Sequence, residues 1–142
     1  MSDEFQYNRR VEFCETDAAG IAHFSAYFQY MEQAEHAFLR HIGTSVIAED
    51  EGGTISWPRV NAYCDYTDPV SFEDVLDVIV RIERLGTKSV TYTFDFRLRE
   101  TRVATGKMTA VCSRIAHGKP PASMPIPSWL VERMRSFVAI ND

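Results

Sequence analysis

An α+β fold, with one long helix set against an antiparallel sheet, is what this sequence predicts. Three observations carry the prediction. Ser25 to Ile42 repeats its apolar residues with the period of a helix. Four later segments alternate apolar and polar residues, and short turns separate them. The resulting order, β-α-β-β-β-β-α, contains four consecutive strands with no crossover helix between them, which favours antiparallel pairing. At 142 residues, one domain over 1–142 is expected.

Tyr7, Arg9, Val11 and Phe13 alternate with Asn8, Arg10, Glu12 and Cys14, so a first strand is expected over residues 6–14. An acidic, small-residue loop follows, ETDAAG, and then the helix. On a wheel of about 100° per residue, Tyr27, Met31, Ala34, Phe38 and Ile42 fall within about 80° of one another. Gln29, Gln33, His36 and Arg40 fall opposite. Such a helix spans about 27 Å at 1.5 Å per residue. Ser25 stands where an N-cap belongs, and Gly43 where a C′ glycine does. The polar run Ala48 to Gly53, AEDEGG, breaks structure and is expected to be an exposed, mobile loop.

Thr54 to Tyr66 reads as a second strand with a defect. Ile55 and Trp57 share one parity, but after Pro58 the apolar set moves to Val60, Ala62, Cys64 and Tyr66. Proline cannot donate to a ladder, so a bulge or an edge position near Pro58 is expected. Leu76, Val78, Val80 and Ile82 give a third strand, and Leu85-Gly86-Thr87-Lys88 a hairpin connection. The fourth is the cleanest: Val90, Tyr92, Phe94, Phe96 and Leu98 against Thr91, Thr93, Asp95, Arg97 and Arg99. Glu100-Thr101 turns the chain into a fifth strand over 102–115. Residues 117–127 hold four prolines and one glycine and read as a loop. Ser128 to Val138 reads as a short terminal helix with Trp129, Leu130, Met134 and Phe137 turned inward.

Charged residues at 25% and hydrophobic ones at 45% are ordinary for a soluble globular chain. A net charge of −5 without a long basic run argues against non-specific nucleic-acid binding. The opening MSDEFQYNRR has no apolar core of a signal peptide, and no stretch reaches about 18 apolar residues. No membrane partner and a cytoplasmic location are therefore expected. Cys14, Cys64 and Cys112 are odd in number, lie far apart and form no C-x-x-C; buried, reduced thiols inside strands are expected. His36, His41 and His117 show no metal-ligand spacing, and no metal is expected.

Asp17 lies in a loop just before the N-terminus of the long helix, where unpaired N–H donors and partial positive charge collect. A carboxylate facing such donors across a cleft suits acyl-group chemistry, with a base or nucleophile on one side and an oxyanion site on the other. A loop aspartate also caps its own backbone or a nearby turn. The residues alone leave both readings open. Gly20 permits a positive φ or a close backbone approach.

The run Asp17-Ala18-Ala19-Gly20, followed by Tyr27 and Glu32 on the helix and later by Tyr66-Thr67-Asp68-Pro69 and Asp74, resembles the hotdog-fold acyl-CoA thioesterases. Within them it is closest to the 4-hydroxybenzoyl-CoA thioesterase group. The resemblance spans roughly Tyr7 to Arg114. It implies a five-stranded antiparallel sheet wrapped around one long central helix. It also implies subunits paired edge to edge, as a homodimer or homotetramer, with sites at the interface. The implied activity is hydrolysis of an acyl-CoA thioester to a free acid and CoA, with no cofactor beyond the CoA of the substrate.

By the same resemblance Asp17 is nucleophile or general base. Gly20 shapes an oxyanion site that the amides near His23 and Phe24 complete. Where relatives place a histidine seven residues after the aspartate, this chain has Phe24, with His23 one residue earlier. Tyr27, Tyr30 and Met31 line either the core or an acyl pocket, and Trp57 joins that pocket. Arg84, Lys88 and Ser89 flank the hairpin where the family holds the pantetheine arm and CoA phosphates; an ordinary charged turn reads the same way. Glu35 lies beside the apolar stripe and needs a partner or a raised pKa. Relatives often have arginine there. Glu32 matches an acidic family position or is a solvated helix residue. Two other functions stay open: a hotdog hydratase or dehydratase, which wants a histidine paired with the acid, and a non-catalytic acyl-CoA binding module.

Overall fold

The alternation along Phe5–Arg10 forms β1, which pairs antiparallel with β5 (Val75–Leu85). The computed structural model describes residues 2–139; residues 1 and 140–142 of the expected 1–142 domain lie outside the described residues. β6 (Ser89–Leu98), β7 (Thr101–Val111) and β4 (Arg59–Tyr66) complete a five-stranded sheet in the order β1-β5-β6-β7-β4. Every pair in it is antiparallel, so the expected topology class is present. Leu76, Val78, Val80 and Ile82 on β5, and Val90, Tyr92, Phe94 and Phe96 on β6, are buried with the core.

The helix α1 runs Ala26–His41, 16 residues. Its buried face carries Tyr27, Tyr30, Met31, Ala34, Phe38 and Leu39, which includes the predicted stripe up to Phe38. Ile42 lies just past the end and is half-buried. Ser25 does not cap with its side chain; it has helical dihedrals, and its hydroxyl pairs with His23 Nδ1 instead. Gly43 does take φ +88 beyond the C-terminus, as expected. Close approach of helix to sheet fixes Gly106 of β7, where an added Cβ would sit 2.4 Å from Met31 Sδ.

One buried residue on α1 is charged. Glu35 is fully buried and pairs with Arg59 at the start of β4, whose Nη1 also donates to the Trp57 carbonyl at 2.8 Å. The second carboxylate oxygen, Oε2, is buried with no hydrogen-bond donor among the described residues. Burial pushes the Glu35 carboxyl up to about 7, with Arg59 pulling the other way.

Several expected boundaries move. The first strand ends at Arg10 rather than residue 14, and Phe13–Glu15 form a turn of 3₁₀ helix. Cys14 is therefore exposed and outside any strand, contrary to expectation; Cys64 is partly covered and Cys112 buried, and all three are free. The long second strand is two strands in two sheets. β2 (Ala48–Asp50) and β3 (Gly53–Ser56) form a hairpin, and β3 continues a smaller sheet in the order β2-β3-β8-β9. β8 is Ser113–Ile115 and β9 Ala122–Ser123. Pro58 marks the switch between sheets, and β4 is one of the two edge strands, with a register shift between Arg59 and Asn61. The predicted fifth strand breaks at Cys112, whose N–H donates to the Lys88 carbonyl.

AEDEGG is thus hairpin rather than loose loop. Arg114 ties it down by donating to Asp50 Oδ1 at 2.6 Å and to the Gly53 carbonyl at 2.9 Å. The C-terminal helix α2 is Ser128–Met134, followed by 3₁₀ residues Arg135–Phe137. Leu130, Met134 and Phe137 turn inward as predicted, but Trp129 is partly exposed under the Arg133 guanidinium, 4.9 Å away.

Candidate active site

The chain narrows to a hairpin before α1. Asp17 N–H donates to the Ile21 carbonyl at 2.9 Å, Thr16 bridges Ala22, and His23 N–H donates to the Glu15 carbonyl at 2.8 Å. At its tip Gly20 N–H closes a turn onto the Asp17 carbonyl at 2.9 Å, with φ +81. An added Cβ there would meet nothing within 4 Å, so the left-handed backbone, not crowding, is what asks for glycine. Asp17 is exposed, and its Oδ1 accepts the Ala19 N–H at 2.9 Å. The backbone-capping reading is therefore present, and it uses one carboxylate oxygen. Among the described residues, Oδ2 has no hydrogen-bond donor.

This carboxylate stands at the edge of a groove of about 420 Å³. Ile21, Ala22, Phe24 and Tyr27 line it on the hairpin and helix side; Tyr66, Thr67, Asp68 and Pro69 line it from the end of β4. The two sides are stitched by Ala22 N–H donating to the Val70 carbonyl at 2.8 Å and by Tyr66 O–H donating to the Phe24 carbonyl at 2.8 Å. The Tyr27 ring is buried edge-on against Tyr66 at 5.0 Å and Phe96 at 5.2 Å. Burial, with Cys64 and Tyr66 beside it, pushes the Tyr27 phenol up to about 12. It stays neutral, as an aromatic wall rather than a base.

Gly20, Phe24 and Tyr27 thus gather around Asp17. Of the two amides expected at an oxyanion site, His23 and Phe24, one is already bonded. His23 N–H is occupied by Glu15, whereas Phe24 N–H has no acceptor among the described residues. The His23 ring stacks on Phe24 at 4.4 Å, bonds Ser25 through Nδ1 and does not line the groove. Met31 and Trp57 do not line it either: Met31 lies beneath the sheet at Gly106, and Trp57 is buried beside the Glu35–Arg59 pair.

Arg84, Lys88 and Ser89 sit on the β5–β6 hairpin. Ser89 is seven residues along β6 from Phe96, about 23 Å at 3.3 Å per residue. Arg97 and Arg102 are nearer, but both hold Asp95, at 2.9 and 2.8 Å. Burial pushes the Cys64 thiol up to about 12, so it remains protonated and unsuited to nucleophilic attack. Among the described residues, no three histidines, cysteines or carboxylates gather as a metal-ligand set.

Sequence reasoning missed Tyr66, Thr67, Asp68 and Pro69 as groove lining. Their signal was the turn itself, Thr-Asp-Pro at a strand end, which had to pack somewhere. It missed as well the cluster of Arg9, Glu15 and Tyr30 behind the hairpin.

The profile of the thioesterase superfamily matches residues 19–105, which is 87 of the 142. The match takes in Gly20, α1, β4, β5, β6 and the first half of β7; it begins after Asp17 and leaves out β1. This chain belongs to the thioesterase superfamily. A protein of Aquifex aeolicus, provisionally described as an esterase, is 36% identical over 115 residues, covering 81% of this chain and 88% of its own. A 1,4-dihydroxy-2-naphthoyl-CoA hydrolase of Thermosynechococcus vestitus is 28% identical over 127 residues, covering 87% and 86%. Among solved structures, a gentisyl-coenzyme A thioesterase superposes with TM-score 0.76 at 26% identity, over 92% of this chain and 99% of the other. The fold is the hotdog fold of these thioesterases, an antiparallel sheet with a helix and a short C-terminal helix. No described helix is long and apolar enough to cross a membrane.

Proposed function

We propose that this thioesterase hydrolyses acyl-CoA thioesters in the groove beside Asp17, releasing a free acid and CoA. The observation that carries the reading is the pairing of a carboxylate oxygen without a donor, Asp17 Oδ2, with an unoccupied amide, Phe24 N–H, at one apolar groove. Asp17 either takes a proton from an attacking water or attacks the thioester carbonyl itself, with water then cleaving the mixed anhydride. In both courses charge develops on the carbonyl oxygen, where Phe24 N–H can stabilise it, and the C–S bond breaks to expel CoA thiolate. A hydratase is the weaker reading, because His23 is tied to Ser25 and lies outside the groove lining.

The aromatic wall of Phe24, Tyr27 and Tyr66 favours a flat aromatic acyl group, which stacks edge-on or offset against such rings. The relatives named for hydroxylated aromatic acyl-CoA substrates are in keeping with this. A panel of aromatic and aliphatic acyl-CoA thioesters, read by thiol release, tests both statements. The expected result is turnover, with kcat/KM highest on aromatic substrates. No thiol from any of them overturns the function; a preference for straight-chain aliphatic groups overturns the substrate class.

The functional unit we infer is a homodimer or larger, joined through β4. That strand is a sheet edge and exposes Val60, Tyr63 and Tyr66. The CoA phosphates meet Arg84, Lys88 and Ser89 only if a neighbouring copy brings its hairpin towards the groove. Light scattering at micromolar concentration should give a multiple of the 16.2 kDa chain mass. A monomer would remove both inferences.

A further inference from the structure

The hairpin that carries Asp17 is held from behind by one residue. Glu15 has a side chain only 9% exposed, although it precedes an exposed loop by two residues. Its Oε1 accepts the Tyr30 hydroxyl of α1 at 2.9 Å and the Glu12 N–H at 2.8 Å. Both carboxylate oxygens receive the Arg9 guanidinium of β1. That guanidinium in turn lies 4.8 Å over the Tyr30 ring and donates Nε–H to Gln33 on α1 at 2.8 Å. The same residue uses its backbone: the Glu15 carbonyl accepts His23 N–H. Glu15 therefore ties the neck of the hairpin to sheet and helix at once. Asp17 follows it by two residues on one arm, and Phe24 follows its bonded partner His23 by one on the other.

We propose that Glu15 is a positioning residue for hydrolysis: its carboxylate anchors the hairpin to Arg9 and Tyr30 while its carbonyl anchors His23, and together these set the spacing between Asp17 and Phe24 N–H. The proposal rests on the reading of Asp17 given above. Burial raises the Glu15 carboxyl, but the Glu12 amide, the Tyr30 hydroxyl and Arg9 more than offset this and hold it below its ordinary value. It stays charged, so the anchor is a set of charge-assisted bonds, shorter and stronger than neutral ones. A group with this many fixed bonds transmits its position to the atoms two residues away, and misplacing a reacting group by about 1 Å can cost about 10²-fold in rate.

Tyr30→Phe and Glu15→Gln test it, with Asp17→Asn as the reference. Tyr30→Phe keeps the ring under Arg9 and removes one donor. Glu15→Gln keeps an acceptor for Tyr30 and weakens the Arg9 bond. Each should lower kcat by about tenfold while KM stays within about twofold, because the lost geometry matters in the transition state and not in ground-state binding. The double variant should lose less than the product of the two single losses, since both act through one carboxylate. In amide hydrogen exchange, His23 N–H should lose protection in both variants while the β6 amides keep theirs. Unchanged kcat in folded variants, or a fully multiplicative double variant, overturns the proposal. So does a kcat loss that only tracks a fall in Tm. Failure of the underlying reading looks different: the parent itself releases no thiol, or Asp17→Asn turns over as fast as the parent.

Discussion

Asp17→Asn should lower kcat on a good acyl-CoA substrate by about 10²-fold or more, the range expected for removal of a general base. The fold should be untouched. Asparagine keeps an oxygen to accept the Ala19 N–H, so the turn closed by Gly20 survives. What disappears is the charge and the basic lone pair of Oδ2. KM should change little, because the exposed carboxylate contributes to the transition state rather than to substrate binding. Steady-state kinetics beside a melting curve check this. Hydrolysis near the parent rate, with the parent Tm, would move the chemistry elsewhere in the groove, to Asp68 first.

Arg59→Met should destabilise the protein by about 1–2 kcal/mol at pH 8, because the buried Glu35 carboxyl loses its cation and must take up a proton about one pH unit above the value of about 7 it has beside Arg59. A drop in Tm of about 5 °C is the corresponding readout. The loss should shrink at pH 5. Glu35 titrates at about 7 in the fold against 4.5 ordinarily, so the folded protein holds a proton there that the unfolded chain has released. Between those values the native state binds more protons, and stability attributable to this group falls as pH rises. It is greatest below pH 4.5 and fully lost above about pH 7. Removing Arg59 removes an attraction for the charged form, so the fall keeps its slope of one proton and reaches higher pH. Glu35→Gln should flatten it. Equal destabilisation by Arg59→Met at pH 5 and pH 8 would contradict this account of the pair.

The parts of the fold that the chain announced were those with a clean period. β6 is an example: its alternation from Val90 to Leu98 has one face buried against α1, and the observed strand matches it. The stripe on α1 was legible for the same reason. Glu35 was legible as a problem, a carboxylate beside that stripe, but not as a solution, because its partner lies 24 positions away on an edge strand. The smaller sheet was hidden. Its strands are two to four residues long, too short for any period to show. Pro58 did signal a break; that the break exchanges one sheet for another depends on pairing with β8, a long-range contact. At the site, the turn at Gly20 was readable because a turn constrains residue type, whereas the role expected of Asp17 came from the family resemblance. The choice between the His23 and Phe24 amides was not readable, since it turns on where the Glu15 carbonyl points. Tyr66 and Asp68 joined the site through the Ala22–Val70 and Tyr66–Phe24 hydrogen bonds, which no local pattern encodes.

A crystal structure of the Asp17→Asn variant with an uncleaved aromatic acyl-CoA tests the central claim most directly, because it locates the thioester. The account predicts the acyl ring between Phe24, Tyr27 and Tyr66. It places the carbonyl oxygen within about 3 Å of Phe24 N–H, with the side chain at position 17 beside the carbonyl carbon. An acyl group bound away from this groove, for example in the polar cleft of Arg81, Thr93 and Lys107 on the outer face of the sheet, would contradict it.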